Sequence, residues 1–323
     1  MEVTIVLIIG IDSQNGIYLA KYLEEIGEPG EFKVIGTSRK STEIAYAGVD
    51  ELVPLDLCDL PNLIAILNKF LPDMIFVYAA KSSSLTVDTD FMSHVKLNFL
   101  PVSVILEWVH QTKSDTKVFY SSSAERFGNT SIVCNETSIC NPTTFYGITK
   151  LLADQLVTFY RKEKNLFTVN AYFYNNESPL RNETYFSMKS ISNAAKFRDG
   201  EIESVPVFNS KSVRDWSHTK DFVRAAWQVM NLQVADDYIF SSGKGHTVME
   251  FVELCFAKMS LDPRGIVEFN SSHDAFPKDV ADTATIRLGD NKKLLATGWS
   301  PEISLSDLCD DMIKMFSKNG ESL

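Results

Sequence analysis

Hydrophobic positions along the chain form short continuous runs that alternate with longer amphipathic stretches. Residues 3–9 are an apolar run that ends at a glycine, which is typical of a buried strand, and residues 17–26 carry apolar positions at helical spacing. The same alternation predicts strands at residues 33–36, 51–55, 74–80, 117–121 and 167–174 and helices at 60–70, 97–109 and 145–162. Strands and helices that alternate in this way predict an α/β fold with a Rossmann-type doubly wound parallel sheet.

The regular alternation stops after Asn175, where polar turns and scattered short elements follow. A helix is expected near residues 185–199, and residues 221–230 and 238–240 are expected to form a helix and a strand that return to the main sheet. We therefore predict two domains. Residues 1–174 plus about 212–244 would form the dinucleotide-binding Rossmann domain, and about 175–211 plus 245–323 a smaller C-terminal substrate-binding lobe.

The charge and the cysteines narrow the class of protein. A net charge of −11 and a pI near 5.0 argue against nucleic acid or an anionic membrane as a partner, although a local basic pocket remains compatible. The five cysteines form no C-x-x-C pair and no metal-ligand spacing, so we expect reduced thiols and no metal. The apolar opening is too short for a signal peptide, and no run has the roughly 18 residues of a membrane span. These features predict a soluble cytoplasmic protein.

A glycine-containing turn follows the first predicted strand and precedes the first helix, from Gly10 to Gly16. Glycines at such a turn let the backbone approach a pyrophosphate, which rests on the helix N-terminus. Ser13 stands where the usual pattern has a third glycine, so an ordinary tight turn is the alternative reading. The position between strand and helix favours a dinucleotide site.

The end of the second predicted strand bears on which dinucleotide is bound. An acidic residue there would bind an unphosphorylated ribose, whereas Ser38 and Arg39 suit a 2′-phosphate, which favours NADP and leaves NAD open. Asp56, after the third strand, is placed to reach the adenine. The residues expected to contact the cofactor are Gly10, Ser13, Gln14, Asn15, Gly16, Ser38, Arg39, Asp56, Leu57, Ala79, Ala80, Tyr146 and Lys150.

Tyr146 and Lys150 lie four residues apart on a predicted helix, downstream of a serine-rich stretch that ends at Ser123 and Glu125. Residues at this spacing share one helix face, and we expect the ammonium to lower the pKa of the phenol by favouring phenolate. A hydroxyl or carboxylate from elsewhere would complete a proton-transfer site. An exposed ion-pairing face of an amphipathic helix is the alternative reading of the Tyr–Lys pair alone.

Together Gly10, Gly16, Ser123, Glu125, Tyr146 and Lys150 resemble the extended short-chain dehydrogenase/reductase superfamily of sugar-nucleotide enzymes. The closer resemblance is to the GDP-mannose 4,6-dehydratase family. Three stretches carry it: Ser-Ser-Ala-Glu-Arg-Phe-Gly at 122–128, Asn-Asn-Glu-Ser-Pro-Leu-Arg at 175–181 and Arg-Asp-Trp-Ser-His-Thr-Lys-Asp at 214–221. The resemblance covers nearly the whole chain and is weakest after about residue 260.

The resemblance implies a redox-neutral elimination in which bound NADP both accepts and returns a hydride. Tyr146 would take the proton of the sugar 4-hydroxyl, with Lys150 holding the phenolate and Ser123 bonding the same sugar oxygen. Glu125 would remove the C5 proton and protonate the departing 6-hydroxyl. The product would be a 4-keto-6-deoxy sugar nucleotide.

The resemblance also implies that Asn175, Arg181, Lys189 and Arg214 hold the nucleotide diphosphate. It implies further that the protein is a homodimer or homotetramer and that it acts on a nucleotide-diphosphate sugar, with a GDP-linked sugar expected. The chain departs from the family pattern at Phe276, where the family has arginine before a proline, and at Phe208, where it has glycine.

Two other functions stay open at this point. A 4-epimerase or 4-keto reductase of the same superfamily uses Ser, Tyr and Lys without elimination, and the additional Glu125 argues against it. A cofactor-binding protein that has lost its chemistry would fit Ser13 and Phe276, and the joint presence of Ser123, Glu125, Tyr146 and Lys150 argues against that.

Overall fold

The main element of the fold is a parallel sheet whose strands are apolar because both faces are covered. The computed structural model describes residues 3–40, 45–82, 90–112, 115–207, 209–263, 267–269 and 285–316. The strands in these ranges are β1 Thr4–Ile9, β2 Phe32–Ser38, β3 Glu51–Pro54, β4 Met74–Val77, β5 Lys117–Ser123, β6 Thr168–Phe173, β7 Asn175–Glu177, β8 Val205–Val207, β9 Val213–Arg214, β10 Trp216–His218, β11 Asp237–Phe240, β12 His246–Thr247, β13 Val267–Phe269 and β14 Ile286–Arg287.

Helices connect the strands of this sheet and also form a separate C-terminal group. They are α1 Gln14–Ile26, α2 Leu60–Phe70, α3 Phe91–His94, α4 Leu100–Thr112, α5 Phe145–Lys164, α6 Phe186–Arg198, α7 Thr219–Met230, α8 Val248–Lys258, α9 Lys292–Leu295 and α10 Leu305–Ile313. None of the helices within the described ranges is both long and apolar enough to cross a membrane.

Seven parallel strands form the main sheet in the order β11-β6-β5-β4-β1-β2-β3. The strand order reverses between β1 and β4, and ligands of such sheets bind beyond the carboxyl ends of the strands at that point. The predicted α/β fold with a Rossmann-type doubly wound parallel sheet is therefore confirmed. The predicted return of residues 238–240 to this sheet is also confirmed, as β11.

Alternate residues of β1 enter two different cores because successive side chains of a strand point to opposite faces. Val6 and Ile8 pack with α1 and α7 on one face, whereas Leu7 and Ile9 pack with α2, α4 and α5 on the other. A third core is built by α6, α8 and α10 and does not include the main sheet.

Leu294 and Trp299 fall in the predicted C-terminal lobe, which includes residues 245–323. They nevertheless pack in the core on the α1 and α7 face of the main sheet. The division into two domains stays a prediction.

The helix expected at residues 97–109 begins later, at Leu100, because a π-helical turn covers Val95–Phe99. Asn98 lies in this turn, and its side chain accepts from the backbone N–H of Lys81 (2.8 Å) and donates to the carbonyl of the same residue (3.1 Å). It also donates to the Thr149 hydroxyl of α5 (3.2 Å). The π-turn therefore connects the segment after β4 to the helix that carries Tyr146.

Candidate active site

The turn after β1 is packed too tightly for side chains at its two glycines. Gly10 has φ +95°, and a Cβ there would lie 2.6 Å from the backbone nitrogen of Ala79. A Cβ at Gly16 would lie 2.6 Å from the carbonyl oxygen of Gly10. Contacts this short are not tolerated, so both glycines are required for α1 to begin directly at the carboxyl end of β1.

Ser13 is the N-cap of α1, and its side chain folds back into the turn. Its hydroxyl donates to the carbonyl of Gly10 (2.7 Å) and accepts from the N–H of Gly16 (3.1 Å). The other amides of the first helical turn have no partner within the helix and can meet an anion. The serine therefore stabilises the same turn that a third glycine would only permit.

The side chains of Gln14 and Asn15 bind the segment that contains β7. The Gln14 amide donates to the carbonyl of Asn176 (2.6 Å) and accepts from the hydroxyl of Ser178 (2.7 Å). The Asn176 side chain donates to the Asn15 side chain (2.8 Å). These bonds engage both polar atoms of the Gln14 side chain and the side-chain oxygen of Asn15, and they join the turn to the segment that resembles a substrate loop.

The carboxylate of Asp12, in the turn after β1, lies at the end of β2. The Ser38 hydroxyl donates to Asp12 Oδ2 (2.6 Å) and accepts from the N–H of Lys40 (2.8 Å), and the Tyr46 hydroxyl donates to Asp12 Oδ1. Burial and this carboxylate raise the pKa of Tyr46 to about 12. Arg39 is exposed beside the group. Asp12 lies 26 residues from Ser38, so no local pattern indicates the contact.

The remaining predicted cofactor residues lie after β3 and β4. Asp56 is exposed and accepts from the N–H of Cys58 (2.9 Å), whereas Leu57 is buried. Ala79 packs against the turn after β1, and Ala80 is exposed. All four lie beyond the carboxyl edge of the sheet, where the fold places a ligand.

The predicted catalytic residues come together where β5 ends and α5 begins. Ser123 is the last residue of β5, and its hydroxyl accepts from the N–H of Glu125 (3.2 Å). Tyr146 lies in the first turn of α5, and a Cβ at the next residue, Gly147, would lie 2.6 Å from the carbonyl oxygen of Glu125. Gly147 therefore lets the start of α5 rest against the segment that carries Glu125.

The expectation that Lys150 lowers the pKa of Tyr146 is wrong. Burial raises the pKa of the phenol, the Glu125 charge adds to the increase, and the Ser123 hydroxyl only partly opposes it. The Lys150 ammonium donates to the carbonyl of Ser121 (2.6 Å) and lies 5.7 Å from the centre of the Tyr146 ring. Desolvation dominates because the ammonium is directed to a backbone oxygen rather than to the phenol.

Lys150 is itself buried, and its charge is perturbed. Burial lowers the pKa of its ammonium to about 8, and the carboxylate of Asp154 opposes this shift. Asp154 lies one helical turn further along α5 with its Oδ2 3.3 Å from Nε of Arg126, and burial raises its pKa to about 7. The Arg126 guanidinium lies 3.8 Å from the centre of the Tyr172 ring. The i,i+4 spacing of Lys150 and Asp154 is the signal in the sequence that could have predicted this pair.

Glu125 forms an ion pair with Arg287 of β14, a residue that the sequence analysis missed. Both side chains are partly exposed, at 19% and 28%. Arg214 of β9 lies near them, since the charges of both residues affect its pKa, which burial lowers to about 10. Glu125 is thus directed into a group of cations, and its charge also acts on Tyr146.

The other predicted substrate residues lie on β7, on the segment after it and on α6. Arg181 pairs with the buried Glu177 (Nε to Oε2, 3.1 Å), and its guanidinium stacks 3.5 Å from the centre of the Tyr185 ring. Asn175 is on β7 beside Glu177, and Lys189 is exposed on α6.

Phe208 and Phe276 lie outside the described residues. Within the described ranges no three His, Cys, Asp or Glu side chains form a group that could hold a metal ion.

A Rossmann-type sheet with serine at the end of β5 and tyrosine and lysine on α5 defines an extended short-chain dehydrogenase/reductase. The fold agrees with those of solved members. The dTDP-glucose 4,6-dehydratase from Bacillus anthracis in complex with NAD has a TM-score of 0.81 at 18% identity, covering 98% of this chain and 97% of that one. RMD from Pseudomonas aeruginosa complexed with NADPH has a TM-score of 0.80 at 17% identity, covering 98% and 99%.

Within that class, the chain belongs to the GDP-mannose 4,6-dehydratase family, whose sequence pattern matches residues 7–312. A curated relative, GDP-mannose 4,6 dehydratase 2 of Caenorhabditis elegans, is 28% identical over 353 aligned positions that cover 97% of this chain and 88% of the relative.

Proposed function

We propose that the protein is a nucleotide-sugar 4,6-dehydratase, with GDP-mannose as the first substrate to test. It would remove water from the hexose without net oxidation and leave a 4-keto-6-deoxy sugar nucleotide. The observation that carries the proposal is the position of Glu125. Its carboxylate is partly exposed, and the carbonyl oxygen of Glu125 lies against Gly147, the residue after Tyr146, so one bound sugar ring can meet both groups. An epimerase needs no such carboxylate.

Each catalytic side chain has one role in this reaction. Tyr146 takes the proton of the 4-hydroxyl, and the Ser123 hydroxyl bonds the same oxygen. A ketone at C4 makes the C5 proton acidic, so the Glu125 carboxylate can remove it. Glu125 then delivers a proton to the departing 6-hydroxyl. A nicotinamide dinucleotide, when bound, supplies the reversible hydride acceptor and, in its oxidised form, a positive ring that favours phenolate.

The proposed cofactor is NADP, held by the turn from Gly10 to Gly16 and by the ends of β2, β3 and β4. Arg39 supports this choice because it is exposed one residue beyond β2 and can pair with a 2′-phosphate. Both oxygens of Asp12 are already engaged by the hydroxyls of Ser38 and Tyr46. These two donors leave fewer acceptor positions on the carboxylate for a ribose 2′-hydroxyl, which disfavours NAD.

Arg214 supports a site for the diphosphate of the substrate, because a buried guanidinium near a second one needs an anion. Arg181 and Asn175 would join it, and Lys189 would reach the nucleotide from α6. In this arrangement residues 1–174 plus about 212–244 bind the cofactor, and about 175–211 plus 245–323 bind the substrate.

A second copy of the chain is the proposed partner, as a homodimer or homotetramer. Ile148, Leu152 and Phe159 are exposed on α5 at spacings that place them along one side of the helix.

A cytoplasmic location is proposed because Cys255 and Cys309 are free thiols, buried with their sulfurs 3.9 Å apart.

The proposal is tested by incubating the purified protein with GDP-mannose, GDP-heptose, UDP-glucose and dTDP-glucose and analysing the products by mass spectrometry. Loss of one water and appearance of a 4-ketone are expected for one of them. Inversion at C4 with no loss of mass would indicate an epimerase instead. Absence of turnover with all four, in a protein that still binds NADP, would favour a protein that has lost its chemistry.

A further inference from the structure

Three basic residues occupy one row of the small sheet formed by β12, β9 and β14. In the pairing register Arg287 of β14 lies opposite Arg214 of β9, which lies opposite His246 of β12. Residues paired in this way on neighbouring strands direct their side chains to the same face. The row therefore places two guanidiniums and an imidazole side by side at the edge of the candidate site.

Without an anion beside it, such a row of basic residues destabilises the fold. Like charges directly opposite each other on neighbouring strands are destabilising. The pKa of Arg214 is lowered by burial and, next in importance, by the charge of Arg287. The chain carries a net charge of −11, so it has many carboxylates with which to neutralise cations. Two arginines gathered beside one carboxylate indicate that a further anion belongs there.

The two arginines differ in how firmly they are held. Nη1 of Arg214 donates to the carbonyls of Val213 (2.8 Å) and Thr285 (3.1 Å), which fix its guanidinium. Arg287 bonds through Nη1 to Glu125, and its Nε is buried with no hydrogen-bond partner among the described residues. Arg214 is a fixed cation, whereas Arg287 has donors to spare and, within the part of the chain that the structure describes, pairs with the Glu125 carboxylate alone.

We propose that the Arg287 guanidinium exchanges between the Glu125 carboxylate and the diphosphate of a bound nucleotide sugar, so that substrate binding frees Glu125 to act as the base. This inference rests on the proposed function. A diphosphate carries more charge than one carboxylate and accepts bidentate hydrogen bonds from guanidinium, so it competes well for Arg287. Without substrate, Glu125 stays paired and its lone pairs are engaged.

The exchange is tested by calorimetric titration of four proteins with GDP and with UDP: wild type, Glu125→Gln, Arg287→Met and the double variant. Glu125→Gln should tighten binding about twofold to fivefold, because Arg287 no longer has to leave an ion pair. Arg287→Met should weaken binding at least about tenfold, because a charge-assisted contact to phosphate is lost.

The double variant separates a phosphate contact from a structural role. If Arg287 touches the diphosphate, the double variant binds GDP at least about tenfold more weakly than Glu125→Gln alone. If Arg287 only neutralises Glu125, the double variant binds as tightly as Glu125→Gln, and the inference is overturned. The same comparison with GMP, which lacks the second phosphate, should show a smaller loss.

Two further variants test the geometry of the contact and the effect of removing a cation elsewhere. Arg287→Lys keeps the charge but not the bidentate geometry and should bind GDP with intermediate affinity, whereas affinity equal to that of Arg287→Met would contradict the phosphate contact. Lys292→Met removes an exposed cation, 86% accessible, and should leave GDP binding unchanged. These titrations need no turnover, so a protein that binds GDP through Arg287 but makes no 4-keto sugar would refute the proposed function and the role of Glu125 as the base, while the exchange of Arg287 onto the diphosphate would stand.

Discussion

Replacing Asp154 by asparagine should lower the pKa of Lys150 and shift the pH dependence of activity. Asp154 and Lys150 are both buried on α5, one helical turn apart. Burial lowers the pKa of the ammonium to about 8, and the Asp154 carboxylate opposes that shift. Asparagine keeps the shape of the side chain and removes the charge, so the opposing effect is lost.

The size of the shift follows from the helical spacing. Charges about 6 Å apart at an effective dielectric constant of about 20 attract by about 3 kcal/mol, which corresponds to about 2 pKa units. In the wild type the ammonium is lost as the pH rises through about 8. If catalysis needs this charge, the alkaline decline of kcat/KM begins near pH 8 in the wild type and about 2 units lower in the variant.

The assay is the pH profile of kcat/KM for the nucleotide sugar that the protein turns over, with urea unfolding of each variant to verify folding. Lys150→Arg, which stays charged across the range, should be less active and should show no decline near pH 8. Asp310→Asn removes a carboxylate 53% exposed on α10 and should leave the profile unchanged. An alkaline decline that stays in place in Asp154→Asn, or that persists in Lys150→Arg, would refute the reasoning.

Four other substitutions test three separate parts of the account. Gly16→Ala should abolish dinucleotide binding and destabilise the protein by about 1–3 kcal/mol, because the new Cβ would lie 2.6 Å from the carbonyl oxygen of Gly10. Titration with NADP measures the binding and urea unfolding measures the stability. A variant that binds NADP with full affinity would contradict the prediction. Arg39→Met should weaken NADP binding and spare NAD, whereas Asp12→Asn should strengthen NADP binding; an unchanged affinity ratio in both would exclude these residues as determinants. Leu152→Glu should yield a monomer by analytical ultracentrifugation, because a charge enters the exposed apolar side of α5, and an unchanged oligomer would place the interface elsewhere.

The fold was predictable because its signals are local and repeated. Parallel strands covered on both faces give unbroken apolar runs, and the helix predicted at residues 60–70 has those bounds in the structure. The boundary near residue 97 was wrong because Asn98 makes hydrogen bonds to a backbone segment 17 residues away, and a π-turn accommodates them. Sequence periodicity carries no signal for such a contact.

The candidate site was predictable where family motifs mark it and not where distant residues meet. Ser123, Glu125 and Tyr146 were found from motifs and lie together at the end of β5 and the start of α5. Arg287 is 162 residues from Glu125, and it is brought there by the pairing of β14 with β9 and by backbone hydrogen bonds that join residues 286 and 288 to the segment after Glu125. The expectation about the pKa of Tyr146 was wrong for a different reason. Spacing on a helix predicts which residues are neighbours but not how deeply they are buried.

The central claim is that Glu125 removes a proton from C5 of the sugar, and incorporation of deuterium tests it most directly. The wild type and Glu125→Gln are incubated in heavy water with the nucleotide sugar that the wild type converts, and the product is analysed by NMR. A 4-keto-6-deoxy product labelled at C5 is expected from the wild type, with turnover lowered about a hundredfold or more in the variant. A product without deuterium at C5, or equal turnover by both proteins, would contradict the account.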